Sequence, residues 1–226
     1  MKIVAVMPAF QEEPRIAEAI FGVKKHIPTV IVVDDGSRDQ TAARARSAGA
    51  VVIRHAINRG QGAALKTGEL AAERLGAQIV VHVDADGQHD PEFLTQLVTP
   101  ILRGEADVVL GSRFLGINPD GMPRSRRWLM RGIRLFNAYA LGIPRTVTDP
   151  QSGLRALTID ASRRIAFTQD RYAHASEILK LVTRSTLRWK EVPARVRYSA
   201  DSLAKGQKAT NAFKIVWQLF IGSLRK

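Results

Sequence analysis

Apolar and polar positions along the first 112 residues alternate between two periods, and this alternation predicts the fold class. Short β-branched runs, Ile3–Met7, Val30–Asp34, Val51–Arg54, Ile79–Asp84 and Val108–Ser112, are separated by segments of helical character. Apolar strands divided by helices are the pattern of βαβ units, an α/β fold built on a mostly parallel sheet with helices on both faces. The punctuation agrees. Pro14 suits a first helical turn, Gly49, Gly76 and Gly104 suit helix ends, and Asp90-Pro91-Glu92 reads as an N-cap, a first-turn proline and an acid.

After Ser112 the pattern changes. A Gly-, Pro- and Arg-rich loop from Arg113 to Arg127 leads into a basic amphipathic helix near Arg126 to Leu141, with Arg127, Arg131 and Arg134 on one face and Trp128, Leu135, Phe136 and Tyr139 broadly opposite. The remainder predicts a strand at Gly153–Leu157, helices at Asp160–Phe167 and His174–Thr186, a strand at Arg188–Tyr198 and a C-terminal helix from Gln207. That last helix places Phe213, Val216, Trp217, Phe220 and Leu224 at helical spacing, so its apolar surface needs core, partner or lipid to cover it. No internal repeat or low-complexity tract interrupts the chain, and we read residues 1–226 as one domain.

Composition narrows the function classes. With 45% hydrophobic and 24% charged residues among 226, the chain has the balance of a folded protein, and the absence of cysteine excludes disulfides, thiolate zinc sites and cysteine nucleophiles. The start runs directly into an apolar strand and predicts no signal peptide, and the longest apolar stretch near the end, Ile215 to Leu224, is too short to span a bilayer. A formal charge of +13 predicts an anionic partner: nucleic acid, an anionic lipid surface or a phosphorylated substrate.

In open α/β sheets ligands sit beyond the carboxyl ends of the strands. Here those ends are acidic: Asp34-Asp35-Gly36-Ser37 closes the second strand and Asp84-Ala85-Asp86-Gly87-Gln88 the fourth. Two carboxylates two residues apart repel unless a cation or strong donors lie between them; against the alternative that they merely cap the next helix, for which Asp90 is better placed, Asp84 and Asp86 imply a metal, with Gln88 as an added oxygen ligand. A hard ion, Mg²⁺ or Mn²⁺, suits two carboxylates plus substrate phosphates. Asn58-Arg59-Gly60-Gln61-Gly62 has glycines that would let backbone amides approach a ligand, but it fits neither the phosphate-loop nor the dinucleotide fingerprint. His82, His89 and His174 have no mutual spacing of a metal site and read as structural.

Pro8-Ala9-Phe10-Gln11-Glu12, Asp34-Asp35-Gly36-Ser37, Asn58-Arg59-Gly60 and Asp84-Ala85-Asp86 follow successive strands in an order and spacing that resemble family-two glycosyltransferases of the GT-A fold. The resemblance continues through Gly111-Ser112-Arg113-Phe114, Asp149-Pro150-Gln151-Ser152-Gly153-Leu154-Arg155 and Glu191-Val192-Pro193, and is to the polyprenyl-phosphate branch, the dolichol-phosphate mannose synthase-like enzymes. It implies a Rossmann-like nucleotide-sugar-binding half at 1–112, an acceptor half at 113–206 and an amphipathic segment at 207–226. Pro8, Phe10, Glu12 and Asp35 would line the nucleoside pocket, while Asp84, Asp86 and Gln88 would hold metal and donor diphosphate. Phe10 stands where many such enzymes have tyrosine. Arg113 would begin the acceptor loop and, with Arg131, Arg197 and Lys205, meet the acceptor phosphate. Asp86, Asp149 and Arg113 are the residues expected to act in catalysis.

The expected reaction is inverting transfer of a hexose, mannose from GDP-mannose, onto dolichyl or polyprenyl monophosphate. UDP-glucose is the rival donor. A saccharide or protein hydroxyl is the rival acceptor, and it would make Asp149 or Glu177 a base. A basic nucleic-acid-binding protein is the rival of another class, but no reading motif is visible and the acidic strand ends would repel phosphate. Nucleic acid is therefore not an expected partner. The protein is expected to be cytoplasmic and peripherally attached to a membrane surface, and a separate membrane subunit or a homodimer could cover its apolar helix.

Overall fold

The computed structural model describes residues 1–115, 142–150, 152–171 and 173–196, together with single positions between 128 and 139. The expected C-terminal helix, Arg126, Arg127, Arg131, Phe136, Leu141, Arg197, Tyr198 and Lys205 lie outside the described residues.

Seven strands form one sheet: β1 (Ile3–Ala9), β2 (Thr29–Asp34), β3 (Val51–Arg54), β4 (Ile79–His82), β5 (Val108–Ser112), β6 (Arg155–Thr158) and β7 (Trp189–Pro193). Their order is β3-β2-β1-β4-β6-β5-β7. The ladders β3-β2, β2-β1, β1-β4 and β5-β7 are parallel, while β6 runs antiparallel to both β4 and β5. The carboxyl ends of β1, β2, β4 and β5 thus meet the start of β6 at one edge of the sheet, where ligands bind in such folds.

Strand periodicity sends alternate residues to opposite faces, and each face is covered. On one, Ala5, Met7, Val30, Val32, Ile79 and Val81 pack against α1 (Ile16–Lys24), α2 (Thr41–Ser47) and α4 (Phe93–Leu102). On the other, Val4, Val6, Ile31, Val33, Val80, Leu110 and Leu157 pack against α3 (Gln61–Arg74), α5 (Ile159–Arg164) and α6 (His174–Arg184). Among the described residues no helix is long and apolar enough to cross a membrane.

Boundaries differ from expectation in three informative places. β1 continues through Pro8 to Ala9, because Ala9 O still accepts from Asp35 N at 2.8 Å. β4 ends at His82, which leaves Asp84 on the loop just beyond it. Asp90 does not cap α4 by its side chain; its backbone and carboxylate close the turn before the helix, at Phe93 N (3.2 Å) and Glu92 N (3.3 Å).

Candidate active site

The rim expected to meet the nucleoside is built by two loops stitched edge to edge. Gln11 N donates to Ser37 Oγ (2.9 Å), Glu12 N to Thr41 Oγ1 (2.9 Å), and Gln40 N to Glu13 Oε2 (3.1 Å). Gln11 adopts a left-handed backbone (φ 55°), and its neighbour Phe10 stands 43% exposed at the rim while Pro8 is buried in β1. Glu12 sits behind that rim, 3.8 Å from Arg15. Asp35 is turned inward. Its carboxylate accepts from Arg59 N (2.9 Å) and Gly60 N (2.7 Å), and meets His55 Nδ1 at 2.7 Å. In this geometry Asp35 organises the 55–60 loop, so any contact it makes to a base is made alongside that work.

The glycines of that loop are explained by protein rather than by ligand. A Cβ on Gly60 would stand 2.4 Å from Asp170 O, and one on Gly62 2.2 Å from Gln169 O. The loop therefore packs against the 169–170 backbone, and the Gly60 amide expected to be open to a ligand is given to Asp35. It also delivers Gln61, whose Nε2 donates to Asp84 Oδ1 at 2.9 Å.

Asp84 and Asp86 sit just past β4. Asp84 is held by Gln61 on one oxygen and by His89 Nε2 on the other (3.1 Å). A Cβ on Gly153 would lie 2.4 Å from Asp84 Oδ2, so the chain before β6 is shaped around this carboxylate. Asp86 accepts from Gln88 N (3.0 Å) and Gln88 Nε2 (2.6 Å). Burial pushes the Asp84 carboxyl up, but the hydrogen bond and charge of His89 and the field of Arg155 outweigh it and hold the group below the usual aspartate value. Burial and then the Asp84 charge push Asp86 above it. Two carboxylates pulled apart in this way form a negative pocket that a cation would relieve. Among the described residues no three His, Cys, Asp or Glu converge as a self-sufficient metal cage. Two aspartates and an amide fit an ion that completes its shell with substrate phosphates, such as Mg²⁺ or Mn²⁺.

Across β6 lies the side expected to meet the acceptor. Arg113 donates to Asp149 through both Nε and Nη2 at 2.6 Å, and its backbone N adds a third bond at 3.1 Å. Both residues are buried, so this is a clamp fixing the start of the 113 loop on the 148–149 turn. Glu191 of β7 holds that turn from behind, accepting from Thr148 N at both oxygens (3.0 Å each) and from Thr148 Oγ1 at 2.9 Å. Glu177 does not face the site as a base. It ties down the 168–169 turn through Thr168 N (2.9 Å), Thr168 Oγ1 (2.8 Å) and Gln169 N (2.8 Å).

The structure thus brings together Asp84, Asp86, Gln88, Arg113 and Asp149 at one sheet edge, with Pro8, Phe10, Glu12 and Asp35 at the other side of the same rim. Arg131, Arg197 and Lys205 fall outside the described residues. Sequence reasoning gave no role to Gln61, Arg155 or Glu191 and took His89 as structural, although it is a direct partner of Asp84. Arg155 carried a signal: a charge inside the apolar run Leu154-Arg155-Ala156-Leu157.

The family model described as Glycosyl transferase family 2 matches residues 4–161. An uncharacterized protein of Methanocaldococcus jannaschii is 38% identical, covering 97% of this chain and 91% of its own. A Methanococcus voltae protein named UDP-N-acetylglucosamine–dolichyl-phosphate N-acetylglucosaminyltransferase is 32% identical over 99% of this chain and 97% of its own. A Pyrococcus furiosus protein named dolichol-phosphate mannosyltransferase is 29% identical over 70% of this chain and 46% of its own. Among solved structures, glucosyl-3-phosphoglycerate synthase from Mycobacterium tuberculosis, in complex with Mn²⁺ and UDP-glucose, is 23% identical and covers 97% of this chain and 76% of its own with a TM-score of 0.73, a likeness of fold.

Proposed function

Because the chain belongs to glycosyltransferase family 2, and is a glycosyltransferase of GT-A fold, we propose that it transfers a hexosyl group from a nucleotide-sugar to the phosphate of a polyprenyl or dolichyl monophosphate, inverting the anomeric centre, with Mg²⁺ or Mn²⁺.

The observation that carries the acceptor is the commitment of the carboxylates. A hydroxyl acceptor needs a general base, whereas a phosphomonoester, with a second pKa of about 6, is already largely dianionic at neutral pH. Asp149 is buried and bonded through both oxygens to Arg113, Glu177 to the 168–169 turn and Glu191 to Thr148. The two residues that a hydroxyl reading would use as base are therefore spent on structure, which supports a nucleophile that arrives deprotonated.

Asp84, Asp86 and Gln88 would hold the ion, which supplies charge neutralisation of the donor diphosphate as it leaves. Gln61 and His89 orient Asp84, and Phe10 and Asp35 bound the nucleoside. The Arg113–Asp149 clamp fixes the acceptor loop. With Arg113 committed to that clamp, Arg131, Arg197 and Lys205 are our candidates for receiving the acceptor phosphate. The lipid must be met at a membrane surface. Exposed Trp128, Leu135 and Tyr139, at helical positions beyond that loop, support peripheral attachment.

Two donors are to be compared. A relative aligned along nearly all of both chains is named for UDP-N-acetylglucosamine, which favours that donor as the first to test. GDP-mannose, the sequence expectation, is the second reading, favoured by the Pyrococcus relative. The experiment is incubation of a panel of radiolabelled UDP- and GDP-sugars with polyprenyl phosphate and Mn²⁺. Label entering the lipid phase from one donor is the expected result, and no lipid label from any donor would refute the proposal.

A further inference from the structure

Arg155 is a charge in the wrong place for an ordinary arginine. It opens β6, the strand that runs antiparallel to two neighbours at once, with His82 of β4 and Leu110 of β5 as its cross-strand partners. The alternation of the strand sends it to the face of Leu157 and Leu110, beneath the sheet edge, where it is 1% exposed. Its Nη1 is buried without a hydrogen-bond partner. Removing a guanidinium from water costs several kcal/mol, so a position like this persists only where opposite charges answer it.

Three carboxylates do. Asp84, Asp149 and Glu69 each act on Arg155 through space, without a direct ion pair, and although burial lowers its pKa to about 10 it stays protonated at neutral pH. His174, the basic neighbour beside it, is pushed down to about 4 by burial and then by the Arg155 charge, so it contributes no positive charge at neutral pH. The same segment shows a second adaptation to the same carboxylate. Gly153 precedes Arg155 by two residues, and only the absence of a side chain there leaves room for Asp84, whose Oδ2 would lie 2.4 Å from a Cβ. The start of β6 thus faces Asp84 with a void and, one strand repeat later, with a positive charge.

We propose that Arg155 is a positioning residue for the donor site, its guanidinium acting as the buried counter-charge that ties Asp84 of the metal pair to Asp149 of the Arg113 clamp. β6 is the seam between the β4 side, which carries the metal aspartates, and the β5 side, which carries the acceptor loop. One cation on that seam fixes the two sites relative to each other. The consequence for catalysis rests on the reading of Asp84 as a metal ligand, but the charge balance itself needs no substrate.

The test is a stability cycle with a kinetic readout. Thermal unfolding is measured for the parent, Arg155→Met, Asp84→Asn and the double variant. Arg155→Met removes one positive charge acting on Asp84, leaves His89 as its counter-charge and melts lower; adding Asp84→Asn removes the under-compensated carboxylate, so the double variant melts higher than Arg155→Met alone. Losses that simply add overturn the proposal. If Arg155→Met does not fold, recovery of a folded chain in the double variant is the expected result, and no recovery overturns the proposal equally. Transfer rates separate charge from packing. Arg155→Lys keeps the charge and retains activity within about tenfold, whereas folded Arg155→Met loses about a hundredfold. The reverse order, with the apolar stem of Met serving better than Lys, is the signature of packing and overturns the proposal. Because the cycle is read on unfolding alone, its failure is distinct from a failure of the proposed donor or acceptor.

Discussion

Replacing Gly153 by alanine adds one methyl group where the structure has a carboxylate. The new Cβ would stand 2.4 Å from Asp84 Oδ2, 2.8 Å from Oδ1 and 2.9 Å from Cγ, and ordinary contact begins at 3.4 Å. Asp84 must therefore retreat by 3.4 − 2.4 = 1.0 Å, or β6 must move with the ladders to β4 and β5 that hold it. Retreat is resisted, since Gln61 and His89 hold the two oxygens at 2.9 and 3.1 Å. Overpacking of this kind costs about 1–3 kcal/mol, which in a chain of this length lowers the melting temperature by roughly 2–12 °C. The functional loss is larger than the stability loss, because an octahedral ion tolerates little displacement of a ligand and misplaced coordination costs about 10–100-fold in affinity. The assay is the transfer rate of folded Gly153→Ala against Mn²⁺ concentration, beside its melting curve. A variant with parental rate and parental metal requirement would refute the reasoning that the chain before β6 is shaped around a metal-binding Asp84.

Other outcomes follow from neighbouring contacts. Gln61→Ala removes the donor that orients Asp84 Oδ1, so the Mn²⁺ concentration for half-maximal transfer should rise about tenfold with little change in melting; an unchanged metal requirement would count against that role. Glu177→Ala frees three donors of the 168–169 turn and should destabilise by about 1–3 kcal/mol, while the rate per folded molecule stays within about twofold; a collapse of rate at intact fold would restore a base role. For His174 the folded pKa is about 4 against 6.5 for an unperturbed histidine, so the unfolded chain binds the extra proton between those values. Its effect on stability is absent above about pH 6.5 and grows as pH falls to about 4, reaching about 3 kcal/mol, so His174→Leu should flatten the acid limb of a stability-against-pH curve. An equally steep limb in that variant would refute the assignment.

What the sequence made legible was what local pattern encodes. Strands β2 and β5 were legible because buried parallel strands are written as β-branched runs, the half-exposed edge strand β3 because its run is β-branched too, and the acidic strand ends announced the site because carboxylates are costly there without a partner. Pro8 disguised the true end of β1, since a proline reads as a stop while the Ala9 carbonyl still pairs. The antiparallel direction of β6 left no trace in its four residues, and direction is what sets Gly153 and Arg155 against Asp84. Partnerships such as Gln61 with Asp84, 23 positions apart, and Glu191 with Thr148, 43 apart, exist only after the chain has closed on itself. Glu177 was undecidable for the same reason: a carboxylate on a helix looks equally fit for catalysis or for tying down a turn until its donors are known.

In the proposed reaction a lipid phosphate, needing no base from the protein, is the nucleophile, and Asp84 and Asp86 would hold the ion that neutralises the donor diphosphate. The most direct test offers the enzyme polyprenyl phosphate and the corresponding free polyprenol side by side, with the labelled donor it binds, in Mn²⁺ and in EDTA. Label in the phosphate-bearing lipid with Mn²⁺, none in the alcohol, and loss of transfer in EDTA are the expected results. Transfer to the alcohol at a comparable rate, or undiminished transfer in EDTA, would contradict the proposed reaction.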